Sequence, residues 1–171
     1  DTVQVDLRNG EQLGDAYRSI NPQCTVPGLR TDDGLLLTDN AGITAYLEAR
    51  FPQPALLGIT PQEKAEIASW NWRIEFEGLL AVAEALRNSA PSMAHRALPG
   101  PLDYAQIPEL AQRGLARVQQ FFGSLNDRVA GREFIATYRW SIADSTAVVA
   151  VDFAGVVKVK PGEQHPQLLR W

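Results

Sequence analysis

Cysteine is nearly absent from this sequence. A single thiol in 171 residues, Cys24, excludes an internal disulfide and any cysteine-rich metal site. Histidine is almost as scarce: His95 and His165 leave little for a zinc centre, and no metal is expected. Long apolar runs are missing too. The longest, Ala147 to Ala154, is broken by Asp152 and falls far short of the roughly 20 residues a membrane span needs. Basic charge is not in excess either. Sixteen Lys and Arg against 20 Asp and Glu leave −4, the wrong sign for a surface that neutralises phosphates. Asp1–Leu7 carries neither the basic nor the apolar stretch of a targeting peptide. The expectation is a cytoplasmic protein that engages neither nucleic acid nor membrane.

What is present is an ordinary globular composition, 45% apolar and 21% charged, sufficient for one domain or two small ones. The two ends of the chain follow different periods. Val3, Val5 and Leu7 alternate as a half-buried strand does, so Thr2–Leu7 is expected to be one. Asn9-Gly10 marks a turn, and Leu13, Tyr17 and Ile20 share the spacing of a short helix. Val26–Thr31 and Leu35–Leu37 are strand candidates around Asp33-Gly34, a hairpin signal because both residues tolerate positive φ. From Asn40 the pattern is helical, with Ile43, Tyr46 and Leu47 on one face, until Phe51-Pro52-Gln53-Pro54 ends it.

Beyond the prolines nothing reads as strand. Thr60-Pro61-Gln62-Glu63 starts a helix that reaches about Asn88, with Thr60 as N-cap and Pro61 at the first position. It carries two apolar stripes, one through Ile67, Trp70, Ile74, Gly78, Ala81 and Ala85, the other through Trp72, Phe76, Leu79, Ala83 and Leu86. A helix apolar on that much of its circumference must bury more than one side. After a Pro/Gly-rich loop, Ile107, Ala111, Leu115, Val118, Phe122, Leu125 and Val129 form one stripe of an amphipathic helix. Ile142–Val157 is almost entirely small and apolar, as a central core helix should be. The expected organisation is an α/β unit over 1–52, a linker over 53–59 and an all-helical unit over 60–171.

Three local patterns stand out, and each has a purely structural reading, as a loop entering a strand or a capped helix start. The loop Asn21-Pro22-Gln23-Cys24-Thr25-Val26-Pro27 enters a strand. A cis bond before Pro27 would turn the N–H and C=O of Val26 outward, to pair with a bound peptide as an added strand does. Asp39-Asn40 opens a helix. There Asn40 reads as the N-cap, while the free N–H groups suit a ligand carboxylate and Asp39 an ammonium group. Ser141-Ile142-Ala143-Asp144 is a capping-box-like pair, with Ser141 and Asp144 as folding elements and no histidine placed as a base for the serine.

These patterns, in this order and across this linker, resemble the cytosolic glutathione transferase family, most of all its bacterial members. The matching residues are Asn21-Pro22, Val26-Pro27 and Leu29, then Leu37-Thr38-Asp39-Asn40, Ile43, Tyr46, Leu47 and Pro52. They continue through Arg132-Glu133-Phe134-Ile135 and Trp140–Asp144 to His165-Pro166, Leu168 and Trp171. The resemblance implies a thioredoxin-like N-terminal domain, incomplete at its start, followed by an all-α domain. It implies glutathione as co-substrate, held by Val26 and Pro27 at its cysteinyl part, by Asp39 and Asn40 at its γ-glutamyl end, and by Gln12 near its glycine carboxylate. Asn40 stands where serine is usual, and Asp39 is one methylene shorter than the usual glutamate. Ser145 replaces an apolar residue, so no apolar staple to Trp140 is expected.

The implied activity is transfer of the glutathione thiol to an electrophilic, largely apolar small molecule, in a pocket where the helical unit faces the α/β unit. Trp70 and Arg73 are candidate walls, with Trp72 and Phe76 beside them; core packing or dimer contact is the competing reading. A homodimer and a role in detoxification follow from the same resemblance. A glutathione-transferase-fold protein with only a binding or regulatory role is the alternative. The family's thiol-activating residue lies on a first strand and helix that would precede Asp1. The natural protein is therefore expected to be longer by a βα unit there and by a helix after Trp171.

Overall fold

Hydrogen bonding decides which of these segments become regular structure. The computed structural model describes all 171 residues and divides into two units, Asp1–Pro52 with Leu98–Tyr104, and Gln53–Ala97 with Ala105–Trp171. In the first unit the expected Thr2–Leu7 strand does not form. Residues 1–6 have no ladder partner, and Val3 and Leu7 stand exposed, because alternation stabilises a strand only when a neighbour accepts its backbone groups. Instead Asp6 organises the Asn9-Gly10 turn, its carboxylate accepting from the Arg8 and Asn9 N–H groups at 3.0 and 3.1 Å. Gly10 supplies the positive φ of 75° that the turn requires.

The stretch from Leu13 to Ile20 is not one helix either. A 3-10 turn over Glu11–Leu13 and α1, Asp15–Arg18, meet at the extended Gly14. The two predicted strands shorten to β1, Leu29–Arg30, and β2, Leu36–Leu37, paired antiparallel with Leu29 opposite Leu37 and Arg30 opposite Leu36. Asp33-Gly34 does close the hairpin, with Gly34 at φ 90° and its N–H on the Thr31 carbonyl at 3.0 Å. The Thr31 hydroxyl donates to the Asp33 carboxylate and holds that carboxyl below its usual range. Helix α2, Asn40–Arg50, follows directly.

The second unit is helical throughout. Thr60 caps α3, Pro61–Arg73, in a reciprocal pair: its hydroxyl accepts from the Glu63 N–H, and the Glu63 carboxylate accepts from the Thr60 N–H, both at 3.2 Å. The helix then widens into a π segment, Ile74–Leu79, before continuing as α4, Leu80–Ser89. Two contacts accompany that widening. A Cβ on Gly78 would lie 2.8 Å from the Phe121 ring, and the Arg117 guanidinium donates to the Phe76 carbonyl at 2.6 Å. Of the two sequence stripes, the one through Ile67, Ile74, Ala81 and Ala85 is buried, while Trp72 and Phe76 face outward.

Helix α5, Pro108–Arg128, packs on α4 with its buried line through Ala111, Gly114, Val118, Phe121, Phe122 and Leu125. Ile107 and Leu115, expected on that stripe, are exposed. The reason is close approach: a Cβ on Gly114 would sit 2.6 Å from the Ala85 nitrogen, so the bare glycine is the contact and its larger neighbour turns away. Helix α6, Ile142–Phe153, ends in a 3-10 turn over Ala154–Val157 and buries only the line Ala143, Asp144, Ala147, Ala150 and Ala154. Val148 and Val149 point outward, so the helix is not enclosed on all sides as its composition suggested. Helix α7, Pro166–Arg170, is capped by Asn126, whose side-chain oxygen accepts from the Gln167 and Leu168 N–H groups at 2.9 and 3.2 Å.

Asp144 ties α6 to the preceding segment. Fully buried, it accepts from the Ile135 N–H at 2.7 Å, the Ser141 N–H at 2.9 Å and the Ser141 hydroxyl at 2.8 Å. Trp140 and Ser145 occupy the positions of an apolar staple, and a hydrogen bond joins them instead, from the indole N–H to the Ser145 oxygen at 3.0 Å. Asp144→Ala strands buried N–H groups and is expected to cost on the order of 3 kcal/mol in urea denaturation. A loss under about 1 kcal/mol would show that those bonds do not hold the helix. Gly114→Ala should cost about 1–3 kcal/mol by overpacking. Gly123→Ala, on the same helix with nothing within 4 Å of its Cβ, should not destabilise.

Candidate functional site

The hairpin of the first unit sets the site. With Leu29 opposite Leu37, extending the register toward the open end puts Pro27 across from Asp39 and Val26 across from Asn40. Residues thirteen or so apart in sequence therefore share one end of a two-stranded ribbon. No ladder bond continues there. Val26 is partly exposed, and neither its N–H nor its C=O has a partner in the chain. The Val26–Pro27 peptide bond is cis.

The loop leading to Val26 is built around Asn21, which is 1% exposed. Its side-chain oxygen accepts from the Gln23 N–H at 3.0 Å, an Asx turn. Its side-chain nitrogen donates to the Thr25 carbonyl at 2.8 Å and to the Thr25 hydroxyl at 3.2 Å. Its backbone N–H reaches the Tyr17 carbonyl, and its own carbonyl accepts from the Cys24 N–H. A second donor, the Tyr17 hydroxyl, meets the same Thr25 carbonyl at 2.7 Å. Cys24 is buried in the left-handed region at φ 55°. The Asn-Pro pair could have announced the Asx turn; nothing in the local sequence distinguishes Tyr17 from an ordinary helix-face residue.

Helix α2 begins differently from expectation. Asp39, not Asn40, is its N-cap: the Asp39 backbone is extended, and its carboxylate accepts from the Gly42 N–H at 2.7 Å. Asn40 is the first helical residue. Capping needs an acceptor on the last non-helical residue, and helical φ/ψ starts one position earlier than the turn composition suggested. The Asn40 and Ala41 N–H groups stay without partners, next to one carboxylate oxygen used for capping and one that is not.

Gln12 lies in the 3-10 turn before α1, only 5% exposed, with its buried side-chain oxygen lacking a hydrogen-bond partner. Trp70 and Arg73 belong to the second unit. Trp70 packs partly against the helical core, with the Arg73 guanidinium 4.6 Å and the Arg128 guanidinium 4.5 Å from its ring centroid. Arg73 also pairs with Glu77 at 3.4 Å. Trp72 and Phe76 stack in parallel, centroids 5.1 Å apart, on the outer face. Ser141 and Asp144 are bonded to each other inside the helical unit, as described above. No three His, Cys, Asp or Glu side chains cluster so as to hold a metal ion, and no helix is long and apolar enough to cross a membrane.

Known proteins resemble this chain in sequence and in fold. No protein-family model matches it. The crystal structure of a glutathione S-transferase domain-containing protein from Marinobacter aquaeolei is 34% identical, with a TM-score of 0.86 over 99% of this chain and 80% of that one. Gtt2 from Saccharomyces cerevisiae superposes with a TM-score of 0.87 at 29% identity, over 100% of this chain and 80% of that chain. Maleylacetoacetate isomerase of Pseudomonas aeruginosa is 48% identical over 63 residues, 37% of this chain and 30% of that protein. The fold is that of the glutathione S-transferases, its small hairpin unit followed by a helical one. With a solved relative above three-tenths identity matched over four-fifths of its length, the chain belongs to the glutathione S-transferase family.

Proposed function

We propose that this chain binds glutathione at the open end of its hairpin and is a transferase that joins the glutathione sulfur to an electrophilic, largely apolar small molecule. The observation that carries the reading is the unpaired Val26 N–H and C=O beside the Asp39-capped start of α2. The cysteinyl part of the tripeptide would pair with Val26 beside Pro27 as an added strand does. The γ-glutamyl carboxylate would take the Asn40 and Ala41 N–H groups, where the helix dipole favours negative charge. Its ammonium group would meet the Asp39 oxygen that capping leaves over, and the Asn40 side chain would bond the same end. Gln12 would serve the glycine carboxylate. These roles give residues 1–52 the glutathione-binding domain and 60–171 the helical one.

Transfer forms a sulfur–carbon bond after the thiol has given up its proton, and the thiolate is the form of sulfur that attacks. The electrophilic carbon releases an electron pair to its leaving group or to the far atom of its double bond. The chain's share in that step is to hold the tripeptide so that only its thiol end is free to react. Trp70 and Arg73 are proposed for the electrophile, an indole face and a cation on one helix turn. A cytoplasmic role in detoxification fits this chemistry.

Asp39 separates the two duties by variant. Asp39→Asn keeps a good cap and removes the charge, so stability should hold while glutathione affinity, read by calorimetry, falls by on the order of 1.5–3 kcal/mol. Asp39→Ala should also lose about 1 kcal/mol of stability with the cap. Unchanged affinity in Asp39→Asn would overturn the assignment.

We propose further that the protein is a homodimer through the outer face of α3 and α4. Trp72, Phe76 and Leu80 are 60%, 48% and 55% exposed and follow one another at helical spacing. Contiguous exposed apolar surface of this kind marks an interaction site. Sedimentation at micromolar concentration should give a dimer mass, and Trp72→Glu a monomer; a monomeric parent protein would refute the proposal.

A further inference from the structure

The Thr25 carbonyl accepts two hydrogen bonds, and both donors come from α1 and the loop behind it. Asn21 donates from a fully enclosed side chain at 2.8 Å, and Tyr17 from a half-buried ring at 2.7 Å. Thr25 immediately precedes Val26, so the orientation of the Thr25 carbonyl fixes the plane of the peptide that carries the Val26 N–H. With that carbonyl held inward, the Val26 N–H is held away from the loop interior, which accounts for its lack of any partner in the chain. The ring hydroxyl also lies where a Cβ on Gly28 would be 3.8 Å away, so Tyr17 spans the loop on both sides of Val26 and Pro27.

We propose that Tyr17 and Asn21 are positioning residues for glutathione, acting through the Thr25 carbonyl to present the Val26 peptide to the ligand. The proposal rests on the glutathione reading of the hairpin end, but its structural part can be read without any ligand. Cys24 provides that readout. It is the single thiol of the sequence, it is 4% exposed, and its N–H and Sγ bond the Asn21 and Pro22 carbonyls within the same loop. Loosening the Thr25 anchor opens the loop and exposes it.

Tyr17→Phe removes one donor and keeps the ring, so the fold is retained. Alkylation of Cys24 by iodoacetamide, followed by mass spectrometry of its peptide, should accelerate about fivefold, and the glutathione dissociation constant should rise by a similar factor. In turnover the effect should fall on KM for glutathione with kcat unchanged, because the Val26 pairing is made equally in the ground and transition states. Ser19→Ala removes a hydroxyl that bonds only the Ala16 carbonyl, and should change none of these. An unaltered Cys24 rate in Tyr17→Phe overturns the proposal. So does an unaltered dissociation constant where the parent protein binds glutathione, or a fall in kcat with KM unmoved. If Cys24 labelling accelerates but the parent protein binds no glutathione, the loop anchor stands and the glutathione reading is the part that fails.

Discussion

A buried asparagine governs the candidate site at the hairpin end of this protein. Asn21 has every polar atom engaged, and an amide so enclosed tolerates little displacement, since each broken bond would leave a buried group unpaired. That constraint propagates outward in one direction. It fixes Thr25, Thr25 fixes the Val26 peptide, and Val26 is left with backbone groups that nothing in the chain satisfies. The first unit has almost no apolar interior to do this work, its buried residues being Gln12, Asn21, Cys24 and Thr31. Hydrogen bonding there replaces packing as the source of definition. An interior of that kind specifies geometry well, which is what the proposed pairing of a tripeptide with Val26 would need.

The helical unit is built on the opposite principle. Its core is a continuous cluster of Ile67, Ile74, Val82, Val118, Phe122 and Leu125 with alanines of α6 against them. Shape does the specifying: Gly114 admits the α4 backbone, and Gly78 admits the Phe121 ring. The π segment sits at that second contact. Across it the buried stripe stays against α5 and α6 while Trp72 and Phe76 keep an outward face, and Arg117 takes up the Phe76 carbonyl. Within this apolar body Asp144 is the single buried carboxylate, and its three acceptor bonds fix where α6 begins.

Much of this was legible in the sequence, and the failures have physical causes. The helix starts at Thr60 and Ser141 could be read because capping depends on residues three positions apart. The Asp33-Gly34 turn was equally local. Thr2–Leu7 misled because a strand is a property of two segments, and alternation in one says nothing about a partner. Leu115 misled because burial on α5 is decided by which residue lets α4 come close, and the smallest one wins. The choice between the two stripes of Pro61–Ser89 was made by the helices that pack against one of them, and the π segment was announced by no local pattern. At the candidate site, Val26 and Asp39 were legible as motifs, whereas Tyr17 was not, since its hydroxyl matters only through a carbonyl eight residues away.

The start of α2 shows why the residue types at the hairpin end belong together. A carboxylate at a helix N-cap is favoured by the helix dipole and by the Gly42 N–H it accepts. The same carboxylate repels any anionic ligand that approaches the remaining N–H groups of Asn40 and Ala41. A plain carboxylate therefore gains two hydrogen bonds there and loses Coulomb energy to Asp39. A ligand bearing an ammonium group on the carbon next to its carboxylate reverses the second effect, because the cation meets the uncommitted Asp39 oxygen while the carboxylate meets the N–H groups. On the proposed reading the capping aspartate would serve as a filter for the zwitterionic end of an amino acid, the end that the γ-glutamyl group of glutathione presents and that an ordinary peptide carboxy terminus lacks.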